Sequence, residues 1–246
     1  MVTSTRLSRR ALDMKLGGDI LVTGLGDDTE DEFMFGLLSE QAVWDKVILG
    51  RPEGQAVMQK RFLTRTARYS GLLNVLEFAD TSAADSGVDH LLKTASAWLA
   101  FNLTADEVPA MQALAVASDV QRVIFTIHLP AHDINNTAVP ELESARIAIT
   151  GAGKKFTGLR HGTIVGGDED NAYEIVNSTV PCLEPVVERG VLARVVSELL
   201  SVEGADDSIC GVSSSSAFAA AYLVRHGPCL EHSSQQPLNH PIPDTP

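Results

Sequence analysis

The fold is decided by Asp19-Ile20-Leu21-Val22-Thr23-Gly24-Leu25-Gly26-Asp27-Asp28-Thr29, close to the start of the chain. The four residues before Gly24, Ile20 to Thr23, are apolar or β-branched, a composition typical of a short buried strand. Gly24 and Gly26 follow with one residue between them, and apolar residues at helical spacing come next, from Phe33 to Leu38. A strand, a Gly-x-Gly turn and a helix open a dinucleotide-binding βαβ unit, in which the glycines permit a tight turn and a close approach to a pyrophosphate.

The turn departs from the full glycine pattern at its third position, which is Thr29. Five acids surround it, namely Asp27, Asp28, Glu30, Asp31 and Glu32. A carboxylate about 5 Å from a bound phosphate is repelled by roughly 3 kcal/mol at an effective dielectric near 20. The same acids also suit the N-terminus of a helix, where they satisfy amide groups and complement the dipole. Both interpretations can hold together, because acids that cap the helix occupy the place of the phosphate.

Apolar strands and amphipathic helices alternate along the rest of the chain. Further strands are predicted at Lys46–Arg51, Leu72–Phe78, Ala97–Phe101, Arg122–Ile127, Phe156–Arg160 and Ser208–Val212. Helices are predicted at Thr29–Gln41, Val88–Lys93, Ala105–Ser118, Glu141–Ile149, Val187–Leu200 and Ala217–Arg225, and a glycine- and acid-rich ligand loop at Gly162–Asn171. This alternation predicts an α/β fold with a doubly wound parallel sheet, Rossmann-like, in a single domain over residues 19–226.

Composition excludes several classes of function. The net charge of −13 argues against nucleic acid as a direct partner, since phosphate binding needs a basic face. No apolar run reaches the roughly 18 residues of a membrane span. The three cysteines, Cys182, Cys210 and Cys229, show neither a metal-ligand spacing nor a disulfide framework, so no metal site is predicted and a reducing compartment is the simplest inference.

The two ends of the chain differ from the middle. Residues 1–18 carry Arg6, Arg9, Arg10 and Lys15 against one acid, Asp13. This leader is similar to an organelle transit peptide, which predicts a plastid or mitochondrial location. A disordered basic terminus on a cytoplasmic protein is an equally open interpretation. Residues 227–246 are proline-rich and are predicted to form a mobile tail.

Five stretches, taken in order, resemble the atypical short-chain dehydrogenase/reductase group, in its NAD(P)-binding, NmrA-like branch. They are Val22-Thr23-Gly24, Leu49-Gly50-Arg51-Pro52-Glu53, Phe78-Ala79-Asp80, Val120-Gln121-Arg122-Val123-Ile124-Phe125 and Phe156-Thr157-Gly158-Leu159-Arg160-His161-Gly162. The resemblance covers nearly everything from Ile20 to Val212. No single motif is specific, and it is their order and spacing that carry the likeness.

The resemblance implies a cofactor site for NADP. The cofactor-binding residues that it implies are Gly24, Gly26 and Thr29 at the phosphates, Arg51 at the ribose 2′-phosphate, Asp80 at the adenine, Asn102 near the nicotinamide ribose, and Arg160. A solvated loop arginine is the competing interpretation of Arg51. The family usually has a proline between the positions of Arg160 and Gly162, and His161 stands there in this chain.

The catalytic pattern of the family is missing. Classical members use a tyrosine as general acid, with a lysine four residues later that lowers the pKa of the phenol. The corresponding segment, residues 131–149, contains neither residue. Thr126 and His128 lie near the position of the family's catalytic serine, and Tyr173 in the ligand loop is a substitute acid candidate. The usual alternative for His128 is a hydrogen-bonded loop histidine just past a strand.

Two classes of function follow. In the first, the protein is a non-catalytic or weakly catalytic member of this fold that acts as an accessory or assembly subunit, or as a redox-sensing module, of a larger complex in an energy-transducing organelle. A protein partner is then expected. In the second, it is an NADP-dependent reductase of a small quinone, aldehyde or similar electrophile. The acid cluster and the missing tyrosine–lysine pair place the first class ahead.

Overall fold

In the described part of the chain, an eight-stranded sheet has the strand order β3-β2-β1-β4-β5-β6-β10-β8. The computed structural model describes residues 18–25, 44–51, 76–81, 87–129, 138–165, 173–177, 186–201 and 206–214. The strands are β1 Asp19–Thr23, β2 Lys46–Arg51, β3 Leu76–Asp80, β4 Ala97–Leu103, β5 Arg122–His128, β6 Lys155–His161, β7 Thr163–Val165, β8 Tyr173–Asn177, β9 Val186–Glu188 and β10 Ser208–Ser214.

The first six strands and β10 are parallel, and β8 pairs with β10 in the antiparallel direction. The predicted doubly wound parallel sheet is therefore confirmed, with one antiparallel strand at its edge, as is common in large mixed sheets. The order 3-2-1-4-5-6 is that of the dinucleotide-binding fold. Successive strands are added on one side of β1 as far as β3 and on its other side from β4 onward. The gap between the parallel strands β1 and β4 is therefore the topological switch point, where such sheets bind ligands.

Four helices are described beside the sheet. They are α1 Val88–Leu91, α2 Val108–Ala117, α3 Ala138–Gly151 and α4 Arg189–Ser201. Helix α2 begins with a proline in its first turn, where the missing amide hydrogen costs nothing. None of the described helices has both the length and the apolar character needed to cross a membrane.

The helices cover both faces of the sheet, and each face has its own core. Helix α4 contributes Val191, Val195 and Val196, all fully buried, to the core on one face, called the α4 face below. Helices α2 and α3 pack on the opposite face, called the α3 face, where Trp98, Phe125 and Phe156 form a row of edge-to-face contacts with ring centroids 5.5 Å apart. Burial of each ring contributes about 1.5–3 kcal/mol, so this row of three rings stabilises the packing of β4, β5 and β6 beside one another.

Basic side chains hold the amino-terminal edge of the sheet. Arg122 is buried, donates to the carbonyl of Leu200 at 2.6 Å near the end of α4, and pairs with Asp206. Asp206 also contacts Lys155 at 2.9 Å. Since a cation at a helix C-terminus satisfies free carbonyls and complements the dipole, these contacts join α4 to β5 and β6.

Several predicted boundaries need correction. Val187 and Glu188, predicted as the start of a helix, belong to β9, and α4 begins at Arg189. The predicted ligand loop at 162–171 contains β7, which pairs in parallel with β9, and residues 166–171 lie outside the described residues. Both differences arise because this short sheet is built from segments distant in sequence, which local patterns do not reveal. The predicted helices at Thr29–Gln41 and Ala217–Arg225 also lie outside the described residues, as do residues 1–17 and 215–246.

Candidate functional site

The turn after β1 holds its glycine for a steric reason. Gly24 has a φ of +83°, a conformation that residues with a Cβ rarely adopt. A Cβ at this position would also lie 2.1 Å from the carbonyl oxygen of Phe101 in the neighbouring strand β4. Gly24 therefore lets the chain leave β1 in close contact with β4 at the switch point, where a dinucleotide pyrophosphate binds in this fold.

Arg51 lies one strand away from this turn, at the end of β2. It is buried, with 7% of its surface exposed, and it stands opposite Asp80 in the β2–β3 register. The amide of Thr81 donates to its carbonyl at 2.7 Å. Arg51 thus belongs to the strand and is not a solvated loop arginine. This is the strand end where dinucleotide folds recognise the adenosine ribose.

A hydrogen bond between strands shapes the end of β4. Asn102 is exposed and has a φ of +56°, and its amide donates to the Thr126 hydroxyl of β5 at 2.8 Å. The register between the two strands shifts between Ala100 and Leu103, which accommodates this conformation. Thr126 is fully buried. Its hydroxyl oxygen therefore fixes the backbone at the predicted nicotinamide end of the site.

A stack of three rings lies on the α4 face at the same edge. His161 at the end of β6 stacks on Phe101 and on His128, with ring centroids 5.8 Å apart in both pairs. The Nδ1 atom of His161 lies 2.8 Å from the carbonyl oxygen of Gly162, so Nδ1 carries the proton and donates. Its Nε2 atom is buried and has no hydrogen-bond partner in the described part of the chain.

Burial keeps both histidines of this stack neutral. It lowers the pKa of His161 to about 4, an effect that the positive form of His128 reinforces and the bond to Gly162 partly offsets. The pKa of His128 is also lowered by burial. His128 Nε2 lies 3.5 Å from the Thr163 hydroxyl, at the limit of hydrogen bonding. At neutral pH the pair can therefore donate or accept a hydrogen bond but does not present an imidazolium.

The structure brings most of the predicted site residues to one edge of the sheet. Gly24, Arg51, Asn102, Thr126, His128 and Arg160 lie at or next to the carboxyl ends of parallel strands. Gly26 and Thr29, with the surrounding acids, lie outside the described residues. Asp80 is the last residue of β3, and its side chain is not described.

Two predictions about position change. Tyr173, predicted in a ligand loop, is the first residue of the antiparallel edge strand β8, and its side chain is not described. His128, for which a loop position past the strand was the alternative, is the last residue of β5. Sequence analysis missed the stack of His161 on Phe101. The signal available was the histidine itself, an aromatic residue in place of the family's proline.

The described residues contain no group of three or more histidine, cysteine, aspartate or glutamate side chains placed to hold a metal ion. Cys210 is buried with a free thiol, and its Sγ atom lies 3.7 Å from the carbonyl oxygen of Gly158. Burial raises the pKa of this thiol to about 11, against a smaller opposing effect of Arg160. Cys210 is therefore an inert core residue.

Comparison with known proteins supports the fold. No protein-family model matches the sequence, and no curated protein sequence matches significantly. Among solved structures, a Rossmann-fold NAD(P)-binding family protein from Shigella flexneri superposes with a TM-score of 0.58 at 16% identity, over 81% of this chain and 94% of its own. A short-chain dehydrogenase/reductase from Veillonella parvula in complex with NADP gives 0.59 at 12% identity, over 80% and 94%.

An NAD-dependent epimerase/dehydratase-type protein from Bacillus halodurans gives a TM-score of 0.53 at 13% identity, over 85% of this chain and 100% of its own. At these identities the likeness concerns the fold. The chain has the Rossmann fold of NAD(P)-binding short-chain dehydrogenase/reductase and epimerase-like proteins. The resemblance noted from the sequence is confirmed at that level.

Proposed function

We propose that the protein binds NADP(H) across the β1/β4 switch point and acts there as a non-catalytic or weakly catalytic module, in the manner of a redox-sensing or accessory subunit. The cofactor part is supported by the glycine turn against Phe101 and by Arg51 at the end of β2. The Veillonella parvula protein with this fold was solved with NADP.

The observation that carries the non-catalytic part is the state of Thr126. Thr126, which the family resemblance puts near the position of the catalytic serine, is fully buried, and its hydroxyl accepts the amide of Asn102 at 2.8 Å. Accepting the amide does not use the hydroxyl's own O–H, but a fully buried hydroxyl does not reach a substrate carbonyl. No tyrosine or lysine is available in the segment 131–149 to replace it.

Calorimetric titration of the full chain with NADP(H), and separately with NAD(H), tests the cofactor part. We expect micromolar binding of NADP(H), weaker binding of NAD(H), and a loss of at least tenfold in Arg51→Ala, because the 2′-phosphate loses a charged donor. Arg194→Ala is the matched control, since this arginine lies on α4 and pairs with Glu198 at 3.1 Å. Absence of heat at millimolar nucleotide would overturn the cofactor proposal.

The acid cluster supplies a second arm of the same experiment. Replacing Asp27 and Asp28 by glycine is expected to tighten NADP(H) binding, because it removes repulsion of roughly 3 kcal/mol for each carboxylate near a phosphate. Unchanged affinity would mean that these acids cap a helix away from the phosphates.

An NADP-dependent reductase of a small quinone or aldehyde is the second candidate. It is favoured by the placement of His128 beside Thr163 at 3.5 Å, since a neutral imidazole with a hydroxyl can polarise a carbonyl. Turnover of NADPH with a panel of quinones and aldehydes that falls more than tenfold in His128→Gln would favour this candidate over the first.

The proposed role in a complex rests on the two ends of the sequence. The basic leader 1–18 and the proline-rich tail 227–246 are proposed as segments for targeting to an organelle and for docking to a protein partner. Fluorescent fusions with and without residues 1–18 test the first, since loss of organellar localisation is expected on deletion. Size-exclusion chromatography of native extracts with and without the tail tests the second.

A further inference from the structure

Arg160 near the end of β6 is a buried cation with open donors. Only 2% of its surface is exposed, and its Nε and Nη2 atoms have no hydrogen-bond partner within the described part of the chain. Burial lowers the pKa of the guanidinium, but arginine stays protonated in proteins. A buried charge of this kind is costly unless an opposite charge meets it.

The alternation of β6 places Arg160 on the α3 face. A Cβ on Gly158 would lie 3.4 Å from the Leu142 side chain of α3, so Gly158 faces this helix. Arg160, two residues further along the strand, faces the same way. Because α3 runs back from the carboxyl edge of the sheet, its first turn lies toward the same end of β6 as Arg160. That end of a helix carries partial positive charge and favours an anion.

The open donors define the shape of the anion. Nε and Nη2 lie on one side of the guanidinium, and their two parallel N–H groups match the two oxygens of a carboxylate. We propose that Arg160 and the first turn of α3 form a binding site for the carboxylate group of a small organic acid.

This site is separate from the cofactor phosphates. Strand β6 is three strands from β1 in the sheet order, which is about 14 Å at the usual strand spacing. The side chain of Arg160 is thus out of reach of a pyrophosphate on the Gly24 turn. It stands next to the His128 end of the edge, because its register partner on β5 is Ile127. We therefore assign Arg160 to a second ligand in place of the cofactor role that the family resemblance implied for it, and the site requires no nucleotide.

Thermal unfolding of the full chain without nucleotide tests the proposal. Sodium propionate is titrated against sodium chloride at constant ionic strength, with propionamide as the uncharged analogue. We expect a saturable rise of Tm with propionate and none with propionamide, because the stabilisation follows ligand binding to the folded state. In Arg160→Met the rise is expected to vanish, and in Arg160→Lys the apparent affinity is expected to fall at least tenfold.

Arg160→Met also measures how much the unpaired buried guanidinium destabilises the folded protein in the absence of a ligand. Without propionate, Arg160→Met is expected to unfold at a higher temperature than the wild type, because an unpaired buried cation has been replaced by an apolar side chain. Arg146→Met is the matched control on α3, since this arginine already contacts Glu143 and Asp207. It is expected to lower Tm and to leave the propionate response intact.

Three results would overturn the proposal. The first is a propionate response that persists in Arg160→Met. The second is a lower Tm of both Arg160→Met and Glu141→Gln in chloride. Glu141 in the first turn of α3 has a buried Oε2 without a hydrogen-bond partner among the described residues, and that result would make it the partner of the arginine. The third is stabilisation by inorganic phosphate at lower concentration than by propionate, which would assign the site to a phosphate. A failed NADP(H) titration leaves all three unaffected.

Discussion

The turn after β1 makes the sharpest prediction about stability, through Gly24→Ala. Two costs add at this position. A residue with a Cβ at a φ of +83° costs about 1–2 kcal/mol. A methyl group 2.1 Å from the Phe101 carbonyl oxygen adds about 1–3 kcal/mol, since the neighbour is strand backbone and cannot move aside easily. The free energy of unfolding is expected to fall by about 2–5 kcal/mol, a large part of the stability of an ordinary domain.

Two other glycines separate these costs. Gly153 has a φ of +79° but nothing within 4 Å of its Cβ position, so Gly153→Ala is expected to lose only about 1–2 kcal/mol. Gly151 has an ordinary φ and equally open surroundings, so Gly151→Ala is expected to gain about 0.4–1 kcal/mol from the unfolded state. Urea unfolding of the three variants, followed by circular dichroism, measures the series. Equal losses for Gly24→Ala and Gly153→Ala would refute the close approach of β1 to β4.

Two further predictions concern the charged and titratable groups. His161 has a pKa of about 4 in the folded protein and about 6.5 in the unfolded chain, so the unfolded chain takes up the proton first as the pH falls. The free energy of unfolding is therefore highest above pH 6.5 and is expected to fall by about 3 kcal/mol between pH 6.5 and pH 4. Urea unfolding midpoints measured across pH 4–7.5 should show this decline. The decline should be shallower in His161→Phe, which keeps an aromatic ring stacked on Phe101. Equal slopes of midpoint against pH in the two proteins would contradict the burial of a neutral imidazole. Arg122→Met removes the cation at the end of α4 and is expected to lower the free energy of unfolding by about 2–4 kcal/mol, since Asp206 and the Leu200 carbonyl lose a buried partner. Lys46→Met, which breaks the exposed pair with Glu77, should cost less than about 1 kcal/mol in the same urea assay, and a similar loss in both variants would mean that Arg122 is solvated.

Most of the strands could be predicted from short stretches of sequence. The apolar runs that begin at Ile20, Val47 and Val123 predicted β1, β2 and β5 within one or two residues. Such runs suffice because a strand buried on both faces must be apolar throughout. The edge strand β8 was missed, since it lies within a stretch without an apolar run and is defined by its antiparallel pairing with β10.

The site illustrates what local pattern cannot supply. Gly24 was predicted as a turn glycine from its motif, and the structure supplies the carbonyl of Phe101 that requires it. Thr126 was singled out for its hydroxyl. The hydrogen bond that it accepts from Asn102 joins residues 24 positions apart in the sequence and depends on the register between β4 and β5. The stack of His161 on His128 arises in the same way, because parallel register places them side by side on β5 and β6.

By itself, the sequence determined the class of fold, most strand positions and the candidates for chemistry, because periodicity and glycine placement act over a few residues. Only the tertiary structure decided which candidates share a face, which are buried and which have partners. Thr126 and Arg160 look alike as polar residues of buried strands, yet the first accepts a hydrogen bond from a backbone amide, and the second has two buried N–H donors without a partner among the described residues. That difference is set by strand order, register and the face covered by each helix, all of which join segments far apart in the chain.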